Sequence, residues 1–339
     1  MPATTETPRL HASYPLRLLL LVGAAAVLLL ASLTVGAAGL SPGEVLAAVT
    51  GRGDAAVRTI VLELRLPRAV LALLVGGSLA LAGTVFQALL RNPLAEPYIL
   101  GVSGGAALGA VCAIVVAGAA AAAWTVPLAA FAGATGAVLL VLRIAAGVDR
   151  AFDTRVLLLA GVVVGAFFNA VILLLLTMTD AETFRSAMFW MMGSLSDARW
   201  PTVALLAVYM VPIAALLLGL ARPLNLMAVG EETALYLGTR VERVKLASYL
   251  VASLIVAASV AVAGAIGFVG LVVPHAIRLV WGADHRLLLP ASVLAGGAFL
   301  LLADTAARTL AAPAELPVGV ITALVGVPIF VLLLVRRRA

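Results

Sequence analysis

Side chains able to do chemistry are few in this chain, and their spacing excludes more than it offers. There are 21 arginines and one lysine, Lys245, which sits between Val244 and Leu246. A phosphate-binding loop needs Gly-Lys-Ser/Thr opening a helix, so ATP is not held in that way. Cys112 is the single cysteine, and its apolar neighbours read as the setting of a packed thiol. His11, His275 and His285 are scattered, and neither Glu-x-x-His nor His-Glu-x-x-His occurs, so no metal site is expected. No nucleophile elbow of the Gly-x-Ser-x-Gly type is expected either. Asp304, Arg308 and Arg278 fall near the ends of apolar runs, where long side chains reach the interface. Asn169 is the best central polar group; it does not titrate, and an interhelical hydrogen bond would satisfy it. An ion-driven pump needs ionisable groups near mid-membrane, so the driving force is expected to come from elsewhere.

The elements that carry these residues follow from composition. Hydrophobic residues make up 64% of the 339 residues and charged residues 11%, with mean hydropathy +1.18. In lipid every backbone polar group must be bonded internally, and apolar runs of about 17 to 24 residues suit helices rather than alternating barrel strands. Ten spans are predicted, near 16–38, 66–89, 98–119, 122–145, 155–178, 200–220, 244–264, 267–283, 287–309 and 317–335. The eighth is the weakest, being short and holding Pro274 and Arg278. The first is too long for a signal-peptide core and reads as a retained anchor. The longest polar connections are 39–65 and 221–243, and the chain reads as one transmembrane domain over 1–339.

With both termini inside, 15 basic residues fall on inner segments and 7 on outer ones, which predicts cytoplasmic termini. The net charge of +6 then reports topology rather than nucleic-acid binding. Gly101, Gly105 and Gly109 recur at four-residue spacing, which suits close helix packing or, on another face, a passage for a bulky solute. Ser78-Leu-Ala-Leu-Ala-Gly83 precedes Pro93 at the same interval as Ser259-Val-Ala-Val-Ala-Gly264 precedes Pro274. The echo points to a duplicated membrane unit, the alternative being chance in an Ala-, Val- and Gly-rich chain.

Eight strings then occur in order: Arg65-Leu-Pro-Arg68, Arg91-Asn-Pro-Leu-Ala-Glu-Pro97, Phe189-Trp-Met-Met-Gly193, Gly230-Glu-Glu232, Gly267-Phe-Val-Gly-Leu-Val-Val-Pro-His275, Asp284-His-Arg286, Leu302-Ala-Asp304 and Ala314-Glu-Leu-Pro-Val-Gly319. On these the chain resembles, from about 16 to 335, the FecCD-type permease subunits of ABC importers, which serve vitamin B12, haem and ferric siderophores. The resemblance implies an all-α fold of ten helices with an inverted repeat of helices 2–5 and 7–10. It implies a homodimer in the bacterial inner membrane with the passage between subunits, two cytoplasmic ATPase subunits and a periplasmic binding protein. ATP and Mg would sit on the ATPases, with no cofactor on this chain and no catalysis by it.

Residue by residue, the resemblance implies that Arg65, Arg68 and Arg308 hold acidic groups of the binding protein; guanidinium forks suit carboxylates. The competing reading is snorkelling, or pairing with Glu63 and Asp304. Leu226, Gly230, Glu231, Glu232, Leu237 and Gly238 match short amphipathic helices seated in the ATPases. Val164 and Gly165 match an inner constriction, and Ser103, Gly104 and Asn169 complete the expected passage. His275 is expected to pack or cap near Pro274. The strings at Phe189 and Pro274 lie slightly nearer B12 and haem permeases than siderophore ones. An ion-coupled secondary transporter is the alternative from another class, and a membrane enzyme would need a polar cluster that is not found.

Overall fold

A computed structural model describes residues 14–36, 38–117, 124–148 and 153–336. Among these every regular element is helical. In chain order they are α1 (Tyr14–Thr34), α2 (Pro42–Val49), α3 (Ala55–Arg58), a π-helical turn (Thr59–Arg65), α4 (Leu66–Leu89) and a 3₁₀ turn (Pro97–Leu100). Then come α5 (Val102–Ala117), α6 (Thr125–Val148), α7 (Thr154–Thr177), α8 (Ala181–Met191), α9 (Trp200–Gly219), α10 (Ala221–Val229) and α11 (Glu231–Tyr236). The last four are α12 (Val241–Ala263), α13 (Val269–Trp281), α14 (His285–Ala307) and α15 (Val318–Arg336).

Seven helices are long and apolar enough to cross a bilayer, and α5, α13 and most of α15 are shorter apolar helices. These ten match the ten predicted spans. The predicted ends near residues 118–122 lie outside the described residues, as do His11 and Arg150. Two departures have physical causes. The connection 39–65 is largely helical: Ser41 and Glu44 cap α2 reciprocally, and the helix that crosses the membrane begins at Ala55 and runs unbroken to Leu89. Between the fifth and sixth spans lies the unpredicted α8, started by Asp180, whose carboxylate accepts from the Glu182 and Thr183 amides.

At the centre is α4, where every residue from Val75 to Gln87 is buried. Its small and polar residues, Gly76, Gly77, Ser78, Gly83, Thr84 and Gln87, suit contact with other helices rather than with lipid. It packs along α14 and also touches α9, α12 and α13. Small residues permit this: a Cβ on Gly83 would strike the Gly270 carbonyl. The two echoing strings lie on neighbouring helices α4 and α12 but do not share one local structure. Gly83 stays within α4, whereas Gly264 ends α12 with φ 69°. The glycine stripe splits between two partners. Gly105 and Gly109 abut Gly133 and Ala129 of α6, while Gly101 and Gly104 face Gly161 and Gly165 of α7.

Beyond Gly264 the chain turns back into the bundle before α13 starts. Phe268 adopts a left-handed φ of 68°, and Gly270 lies against Leu79, halfway along α4, and against the Pro97 ring. So α13 begins near mid-bundle and occupies only part of its thickness.

Candidate functional site

Two polar assemblies mark opposite ends of the bundle. At the first, which we call the Arg308 end, α1 finishes and leaves the usual unpaired carbonyls of a helix C-terminus. Arginines supply the missing donors. Arg65 donates to the carbonyls of Leu33, at 2.7 Å, and Ala38. Arg308 donates to Ser32 at 2.7 Å and Val35 at 3.1 Å. Gly36 makes room, since a Cβ there would lie 2.7 Å from Arg65 Nη2. Asp304, only 1% exposed, accepts from Arg68 Nε and Nη2 at 3.0 and 2.9 Å and lies 3.6 Å from Arg308 Nε. The other branch of Arg68 forks onto Glu315 at 2.9 and 3.0 Å. The three arginines that could greet an acidic partner are thus engaged within the chain. Pairing with Asp304 occurs as the competing reading required, while Glu63 is replaced by Glu315 and by backbone carbonyls. Asp304 itself is buried rather than interfacial.

The opposite, Glu231 end carries α10 and α11. Leu224, Met227 and Ala234 turn inward and are buried, and Leu226 packs partly against the core. Gly230 joins the helices with an extended backbone, and Gly238, at φ 81°, closes α11. Two ties hold the pair to the body. Glu231 accepts from the buried Lys245 of α12 at 2.6 Å and lies 3.5 Å from Arg91, which also donates to the Met227 carbonyl at 3.3 Å. Asn225 makes the second tie. Its Nδ2 donates to Asp284 at 2.7 Å, and its Oδ1 accepts from the His285 amide at 2.9 Å. The same Oδ1 lies 2.7 Å from His285 Nδ1. An oxygen facing Nδ1 requires that nitrogen to carry the proton. Asp284 also caps α14 and accepts from Tyr14 at 3.1 Å. Burial alone would raise the Asp284 carboxyl, but hydrogen bonds from Arg286, Asn225 and Tyr14 bring it below the ordinary value.

What α10 and α11 do not bury is as informative. Val229 is 75% exposed, Leu235 57%, Tyr236 91% and Leu237 62%. Glu232 and Gly238 are exposed beside them. Grouped apolar exposure of this kind marks an interaction surface.

The expected passage residues separate. Val164 and Ser103 are buried, and Gly104 and Gly165 lie against each other in the seam between α5 and α7. Val164 and Ser103 therefore present almost no surface, and Gly104 and Gly165 little. Of the five, Asn169 alone is on the exposed face of α7, beside Val162, Val163 and Phe167. Two other readings of the sequence change, and one for His275 holds. The string Gly101-Val-Ser-Gly-Gly105 does read Gly-x-Ser-x-Gly, but it follows a 3₁₀ turn and puts Ser103, buried, in the first turn of α5, so no elbow is formed. Cys112 is exposed rather than packed. His275 is buried with its ring beside Phe330, as expected of a packed residue.

Glu96 is a partly buried acid that the sequence did not single out. A carboxylate in a Pro-flanked turn looks like surface, yet this one accepts from the Phe268 amide at 2.6 Å, where α13 begins. Asn225 was missed as well, because nothing in a polar connection singles out one amide. Asp284 gave a signal, an Asp directly before a helix, which locates a cap but not its partner.

Comparison with known proteins agrees with this architecture. Residues 24–336 match the model of the FecCD transport family. The cobalamin import system permease protein BtuC of Halobacterium salinarum is 49% identical over 286 residues, covering 83% of this chain and 74% of that protein. The hemin transport system permease protein HmuU of Yersinia pestis is 43% identical over 284 residues, covering 82% and 83%. A solved structure described as an inward-facing conformation of a metal-chelate type ABC transporter superposes with TM-score 0.86 at 32% identity, covering 95% of this chain and 99% of that one. The chain belongs to the FecCD transport family.

Proposed function

We propose that this chain is the permease subunit of an ATP-driven importer for a bulky metal chelate of the haem and cobalamin class. It works as a homodimer with two ATPase subunits and a soluble binding protein, and the substrate passes between the permeases. The observation that carries the reading is the exposed apolar face of Val229, Leu235, Tyr236 and Leu237, on helices anchored to the bundle by Asn225 and Glu231. Such a face suits insertion into a groove of a partner. ATP and Mg belong to that partner, and this chain takes no part in hydrolysis.

The Glu231 end is cytoplasmic in this reading, with both termini on that side, and the Arg308 end receives the binding protein. Because Arg65, Arg68 and Arg308 are engaged internally, they act on docking by fixing the shape of that end. A direct contact at Arg68 requires a partner carboxylate to replace Glu315, the exposed member of its fork. The passage runs along the face of α7 holding Val162, Phe167 and Asn169 rather than past Val164.

The test is ATP hydrolysis by the reconstituted complex, with haemin, cyanocobalamin and a ferric siderophore each supplied on a cognate binding protein. Stimulation by haemin or cyanocobalamin is expected. Uptake driven by an ion gradient in the absence of ATPase subunits would overturn the reading in favour of a secondary transporter.

A further inference from the structure

Helix α13 is tied at both ends to parts of the chain that lead to α10 and α11. At its start, the Phe268 amide donates to Glu96, and Gln87 donates to the Gly270 and Leu271 carbonyls at 3.4 and 3.2 Å. Glu96 belongs to the short connection that begins at Arg91, and Arg91 touches Met227 and Glu231. At its finish, α13 turns through Gly282 into Asp284 and His285, both held by Asn225 of α10.

The first half of α13 is tightly packed. Val269 to His275 are all buried, and Gly270 leaves no room for slippage against Leu79 and Pro97. Both ties use groups whose replacement is chemically awkward. Asn225 must donate on one side and accept on the other. Glu96 fills the anion position at a helix N-terminus, where amide donors and the helix dipole favour it.

We propose that α13 is a lever moved by the α10–α11 segment, with Asn225 and Glu96 as the positioning residues at its two ends. A displacement of α10 by a bound ATPase reaches the Gly282–Asp284 corner directly through Asn225. It reaches mid-bundle through Arg91, the 91–97 connection and Glu96. Because α13 starts part-way through the bundle, rotation about the Phe268 joint can move its far end without displacing a full membrane-spanning rod. The proposal rests on the reading that α10 and α11 receive the ATPases.

Electron-spin distance measurements on the full complex in nanodiscs test it, in a Cys112→Ser background. Spin-labelled permease diluted with unlabelled subunits carries labels at Arg222 and Val280, or at Val280 and Leu139, all exposed positions outside the docking face and the passage. Addition of AMP-PNP and Mg should leave the Arg222–Val280 distance unchanged while the Val280–Leu139 distance shifts by about 2 Å or more. Asn225→Ala should abolish that shift, and Glu96→Ala should reduce it while Glu96→Gln, which keeps an acceptor for Phe268, preserves it. In both alanine variants transport per ATP hydrolysed should fall by about tenfold. If the ATPases bind but the Arg222–Val280 distance changes as much as the other, the lever is refuted and the docking reading stands. Binding of the ATPases that ignores Tyr236→Ala would remove the docking reading, and the lever with it.

Discussion

The two ends of the molecule use charge in opposite ways. At the Arg308 end, Arg65, Arg68 and Arg308 are drawn into the chain, onto the last carbonyls of α1 and onto the buried Asp304. At the Glu231 end, polar side chains fasten α10 and α11 to the body, and apolar ones are left outside. A charged residue at a helix end is therefore a poor guide to a docking contact. The better guide is what the surrounding fold leaves without a partner.

The sharpest way to break this contrast is to remove Arg68. Its loss leaves Asp304 buried beside a single, more distant guanidinium, so Arg68→Ala should destabilise the detergent-solubilised permease by about 3–5 kcal/mol. Replacing Arg68 and Asp304 together by leucine should recover most of that loss in the same thermal unfolding assay. At the other end, Tyr236→Ala should weaken ATPase binding by about 2 kcal/mol or more, as for a large aromatic anchor. The melting temperature should stay unchanged, because the 91% exposed ring contributes little to the fold.

Next in size is Arg65→Ala, which removes two charged hydrogen bonds, one to Leu33 of α1 and one to Ala38 beyond it, and should cost about 2–3 kcal/mol. Hydrogen exchange should quicken at residues 31–35 before binding-protein capture is affected. Gly230→Pro should disturb the α10–α11 joint, lowering transport per ATP while leaving the amount of permease in the membrane constant. The smallest effect is expected for Asn169→Ala. Asn169 lies on the exposed face of α7, so uptake should change modestly and stability not at all.

Most of the fold was legible in the sequence, because a helix crossing about 30 Å of hydrocarbon needs a long apolar run, and ten such runs are present. Two of the shorter helices, α5 and α13, begin where the chain re-enters the bundle at Pro97 and Gly264. Glycine and proline announced a break there but not its depth. The same blindness hid Glu96, since a carboxylate between prolines has no sequence feature that separates a surface turn from a partly buried helix cap. For the arginines the sequence revealed the donors and not the acceptors. Backbone carbonyls at the end of α1 carry no residue-specific mark, so Arg65 and Arg308 resembled free guanidinium groups. On α7, the apolar pattern around Val164 could not distinguish the face packed on α5 from the one left exposed. The α10–α11 segment was the most readable part of the site, because Leu226, Ala234 and the bounding glycines set its helical pattern directly.

The central question is which end of the molecule engages a partner through surface left free. A photocrosslinker at Tyr236, compared with one at Arg308 in the full ATPase complex, tests this most directly. Adducts to the ATPase subunit are expected from Tyr236 and none from Arg308. Absence of any ATPase adduct from Tyr236 in a complex that hydrolyses ATP would contradict the docking reading.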